Sequence, residues 1–195
     1  MHTIIGMKHA SISSSSASHF LMGAAISALL YSTLFFLNDR LTEVLKFDLG
    51  VSWIYLPAGL RLLLILIFGF AGAIGIAAAS FVISYFGVFP PDLVTCIGIG
   101  LISGFAPLLA KWVVIANVNI SSDLSNLSLQ KIVFCIVVYA FMSAGLHQIW
   151  FELRGIESGS LDHFLVMFVG DIAGSILLIA VIKYCIDLLK GSKPK

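Results

Sequence analysis

Charge is what this sequence has least of: 11% of its 195 residues are Asp, Glu, Lys or Arg, against 59% hydrophobic residues and a mean hydropathy of +1.07. A chain so poor in charge cannot cover the surface of a water-soluble domain of this length, so the composition reads as an integral membrane protein. Neither sign dominates. Eleven basic against ten acidic residues give a net +1, which provides neither a basic face for nucleic acid nor an acidic tail. The three cysteines, Cys96, Cys135 and Cys185, lie inside apolar runs without metal-ligand spacing and read as packing residues. There is no H-E-x-x-H, no phosphate-cradling glycine loop and no credible Ser, His and carboxylate set, so the expectation is a non-enzyme, and no cofactor is named.

What is present is a series of apolar runs near the roughly 20 residues that cross a bilayer, at about 20–37, 51–69, 71–88, 93–115, 132–150 and 164–186. They predict an all-α, polytopic transmembrane bundle of about six helices. The second boundary, Phe68 to Gly72, contains no polar residue and leaves open whether 51–88 forms two full spans or one broken element. Residues 1–18, with their serine run, read as a mobile N-terminal segment before a retained first helix, 19–188 as a single transmembrane domain, and 189–195 as a basic cytoplasmic tail. With both termini inside, Lys8, Lys111, Lys131, Lys183, Lys190, Lys193 and Lys195 fall at the cytoplasmic face, and Arg40, Lys46 and Arg154 outside. That asymmetry favours an N-in, C-in orientation. Trp53, Trp112 and Trp150 then lie near helix ends, as an interfacial belt requires.

Within this frame Arg61 is out of place. It lies about 15 Å into the second span at 1.5 Å per residue, where an arginine costs roughly 2.5–3.5 kcal/mol and must face the protein interior. The carboxylate well inside a helix is Asp171, at a depth within roughly 5 Å of Arg61 and so within reach of its side chain. His147, Gln148, Glu152, Ser52 and Tyr55 belong to the same outer half, and together these residues could line a cavity open to the outside. Pro57 and Gly59 suggest a second helix kinked or unwound beside it. Two readings stand side by side: a structural ion pair locking the second helix to the sixth, and a ligand or ion site.

The order W-x-x-x-P-A-G (Trp53, Pro57, Ala58, Gly59), a glycine-rich helix from Gly69 to Phe81, and a last helix with G-D-x-x-G (Gly170, Asp171, Gly174) resembles the membrane-associated sensor domain of the first type, over about Val51 to Leu188. That family forms the membrane-embedded input module of bacterial histidine kinases and diguanylate cyclases. The chain departs from it in having about six rather than eight helices, in Arg61, and in the His163–Phe168 approach to Gly170, and its last helix is followed by only a few residues. The resemblance implies a stand-alone module of the bacterial inner membrane that binds a ligand or a partner protein, membrane-bound or cytoplasmic, and acts through a separate effector. The alternatives are the substrate-binding subunit of an energy-coupling-factor transporter, for which Ala24 and Ala28 offer a small-xxx-small docking surface, and a structural or assembly subunit.

Overall fold

The computed structural model describes the backbone of residues 2–118, 129–156 and 160–191 and the side chains of 16–114, 130–156 and 160–190. Six α-helices follow in chain order: α1 (His2–Leu41), α2 (Leu56–Phe68), α3 (Phe70–Ile83, continued by a π-helical turn at Ser84–Val88), α4 (Leu93–Val118), α5 (Leu129–Leu153) and α6 (Leu161–Gly191). Between α1 and α2 lies a small antiparallel hairpin of β1 (Lys46–Asp48) and β2 (Val51–Ser52), turning at Gly50, whose φ of 73° is left-handed. The fold is an all-α bundle, and five of the helices are long and apolar enough to cross a membrane, the pattern of a multi-pass membrane protein.

The expectation of six full spans needs one correction. Residues 51–55, assigned to the second span, are not helical; they form β2 and an extended segment, and α2 has only 13 residues, about 20 Å of rise. The cause is Pro57. Its ring disfavours helical geometry in the residue before it and lacks a donor, so it is tolerated only in a first turn, which is where it stands. Consequently α2 begins at Leu56 and runs unbroken through Gly59, without the unwinding expected there. At its other end Gly69, at φ 55°, donates its N–H to Ile65 O and reverses the chain directly into α3.

The segment before α2 is carried down inside the bundle. Tyr55 N–H donates to Gly170 O of α6 at 3.1 Å, and Leu56 N–H to the Asn38 side chain of α1 at 3.0 Å. Non-helical backbone at this depth is tolerated because those partners satisfy it. Close approach depends on glycine: a Cβ on Gly170 would strike Ser52 O, and one on Gly174 would strike the Tyr55 carbonyl. Small residues perform the same service elsewhere, Gly75 against Ala24 O and Gly104 against Ala73 O, as membrane helices require when van der Waals packing must replace hydrophobic collapse.

In α1 the buried positions Gly23, Ser27, Tyr31 and Asn38 follow a helical seam, while Leu21, Leu29, Phe36 and Leu37 stay exposed for lipid contact. Ala24 and Ala28 belong to the inward side, against Gly75 and the core around Leu64 and Ile76, so they present no docking face. The segment before Phe20 is continuous with this helix in backbone. Cys96 and Cys135 are buried, as packing residues would be, whereas Cys185 is exposed on α6. The α4 start and α5 end are clasped together: Asp92 accepts from Thr95 N–H at 2.8 Å and from Arg154 at 2.9 Å, and Trp150 donates to Thr95 O at 3.0 Å. This clasp, the hairpin, and the ends of α1 and α3 mark one end of the bundle.

Candidate functional site

Beneath the hairpin lies a cavity of about 410 Å³. Its exposed lining residues, Lys46, Phe47, Asp48, Leu49 and Gly50, belong to the hairpin, so that end is its mouth. The floor is polar and buried: Arg61 is 1% exposed, and Ser80, Ser103 and His147 surround it from α3, α4 and α5.

Arg61 is held in an unusual way. Its guanidinium carbon lies 6.0, 5.1 and 5.9 Å from the ring centroids of Tyr31, Tyr55 and Tyr139, so three π faces partly replace the water that it lost. Tyr31 and Tyr55 share a hydrogen bond of 3.2 Å, which fixes two walls of that cage. Asp171, fully buried, brings a carboxylate oxygen to 3.9 Å from an Arg61 nitrogen. This is an ion pair at the limit of contact, and neither Asp171 oxygen nor Arg61 Nε has a hydrogen-bond partner among the described residues. Asp171 stands behind Arg61, outside the cavity lining, with the Ser143 hydroxyl beside it.

A second polar chain crosses the floor. His147 Nδ1 lies 2.8 Å from the Ser143 carbonyl, which can only accept, so the proton is on Nδ1 and Nε2 is left as an acceptor in the neutral ring. Ser103 then donates to Nε2 at 3.4 Å, and Ser80 to Ser103 at 2.9 Å.

Of the residues singled out from the sequence, Arg61, Tyr55, His147 and Ser52 line the cavity and Asp171 adjoins it. Gln148 is buried but turned toward Met167 Sδ, at 3.5 Å, and Glu152 is exposed at the α5 end; neither lines it. Trp53 is half exposed and packs edge-on against Phe47; Pro57 starts α2; Gly59 packs against Ser175; Gly170 and Gly174 admit the 52–56 backbone. The sequence alone does not single out Tyr31, Asn38, Ser80, Ser103 or Tyr139. For Tyr139 a signal is present: Tyr139, Ser143 and His147 recur every four residues, which places them on one face of α5.

At the mouth, Asp48 is tied to α6. His163 Nε2–H donates to its carboxylate at 2.7 Å, and Leu49 N–H donates at 2.6 Å. The Leu49 bond first, and then His163, hold the Asp48 carboxyl below its usual value. A depressed carboxyl contributes to the fold above its unfolded value and loses that contribution as pH falls through the folded one. The hairpin should therefore stay docked from neutral pH to about pH 4 and loosen below it. Hydrogen exchange of residues 46–52, corrected for intrinsic rate, measures this, and Asp48→Asn should abolish the pH dependence.

Comparison with protein-family models, with curated proteins and with solved structures finds no match for this chain. The likeness to the membrane-associated sensor domain thus rests on the residues quoted for it, and the site must be read from its own chemistry.

Proposed function

We propose that this chain is a bacterial inner-membrane sensor-like module that binds a small molecule in the cavity below the hairpin and passes that signal to an effector. The observation that supports it most is Arg61 at the cavity floor, a buried cation whose Nε has no hydrogen-bond partner among the described residues, with an open space in front of it. A structural ion pair would be expected to close on itself with direct hydrogen bonds, because a buried charge is costly unless its lone pairs and protons are matched. A cavity of this size also lies within the roughly 300–1,000 Å³ of small-molecule sites. In the N-in, C-in orientation favoured by the lysine and arginine distribution, the mouth faces away from the cytoplasm, where an input module would meet its ligand.

The test is occupancy. Protein purified from its membrane into nanodiscs and denatured in organic solvent should release a small molecule at close to one per chain. A variant with Ser84→Trp, which fills the cavity from α3, should release none. Identical extracts from the two proteins would overturn the reading.

A further inference from the structure

We propose that the occupant of this cavity is a monocarboxylate with an aromatic body, seated with its carboxylate against Arg61. This rests on reading the cavity as a ligand site and names the class of ligand.

The head group follows from the donors. A guanidinium carries five N–H donors in a planar fork that matches a carboxylate. Among the described residues Arg61 makes no hydrogen bond at all; its contacts are three tyrosine rings and the 3.9 Å approach to Asp171. Asp171 balances the charge of the site from behind without occupying the fork, and lies outside the cavity lining. The hydroxyls of Tyr31 and Tyr55 line the same floor; their shared hydrogen bond uses one of the two protons, and the other can donate to a second carboxylate oxygen.

The number of charges follows from what else is there. The cavity's other cation, Lys46, is at the mouth and already paired with Asp39 at 2.6 Å, and Asp48 lies beside it. A phosphate dianion would meet one cation and a buried Asp171 behind it. Each negative charge on a guest adds repulsion from Asp171 with only Arg61 to offset it, so one charge is tolerated better than two, and a cation would be repelled by Arg61.

The body follows from the walls. Between floor and mouth the lining is apolar and rich in rings: Phe35 on α1, Phe47 on β1, Phe89 after α3 and Phe151 on α5, with Ile83 and Met167 between them. Such rings favour an aromatic guest through offset or edge-on contacts.

The experiment compares 3-phenylpropionate with its neutral isostere 3-phenylpropanamide on the unmodified protein, emptied of its occupant by exhaustive detergent exchange and returned to nanodiscs at pH 7.5, by isothermal calorimetry and thermal unfolding. The acid should bind at least about tenfold more tightly than the amide, the usual worth of one charge-assisted hydrogen-bonded contact. Asp171→Asn removes the internal competitor for Arg61 and should tighten the acid at least about threefold while leaving the amide unchanged; a merely structural Asp171 would not separate the two. Equal binding of acid and amide overturns the head-group assignment while leaving a ligand cavity in place. Binding of neither by the emptied protein, when the protein as first purified releases a small molecule on extraction, overturns the assignment of class. If extraction also yields nothing, the ligand reading itself falls.

Discussion

Gly174→Ala should destabilise the protein by about 3 kcal/mol, the upper part of the range for overpacking a close contact. The added methyl would strike the Tyr55 carbonyl and lie 2.7 Å from Leu56 N. All of these are backbone atoms, so no rotamer change relieves the clash; either α6 must retreat or the 52–56 segment must rise out of the bundle. Retreat would also break the Tyr55 N–H to Gly170 O bond. The segment positions Tyr55 against Arg61, so the same substitution should abolish binding at the cavity. Gly87→Ala is the control, because a Cβ there meets open space and should change stability by less than about 0.5 kcal/mol. Unfolding in mixed micelles with increasing denaturing detergent measures both.

The second large effect is an asymmetric one at the buried pair. Arg61→Met should cost about 3–5 kcal/mol, because it leaves the Asp171 carboxylate in the interior without any counter-charge. Asp171→Asn should cost less. Arg61 would keep its three tyrosine faces, worth roughly 2 kcal/mol or more in a desolvated site, and its access to the cavity. The double variant should be more stable than the sum of the singles predicts, with a coupling above about 1 kcal/mol. Equal losses in the two singles, with strong coupling, would instead describe a closed structural lock between α2 and α6.

The bundle and its span lengths were legible because they follow from apolar run length, which sequence carries directly. The shortened α2 was not. Read from the sequence, Pro57 suggests a kink inside a span, whereas its position so close to Val51, Ser52 and Trp53 makes it a start signal, with extended chain before it. The Arg61 and Asp171 neighbourhood was legible from depth alone, since two rare charges at similar depth in one bundle have few other places to go. The tyrosine cage was not, because Tyr31 and Tyr139 sit in apolar runs where an aromatic residue carries no mark of its partner. Gln148 shares the depth of His147 but not its face of α5, and Glu152 lies about a turn nearer the helix end, where it is exposed.

The cavity reaches from the hairpin end, between apolar walls, to Arg61. Ser103 is 3% exposed yet lines that floor, so its accessibility is the most direct test. In a Cys185→Ser background, Ser103→Cys should react in intact cells with a small, membrane-impermeant, negatively charged thiosulfonate, and 3-phenylpropionate should slow the reaction. Glu152→Cys, exposed at the same end, serves as the positive control. If Glu152→Cys reacts and Ser103→Cys stays inert, no path leads from the mouth to Arg61 and the account is wrong.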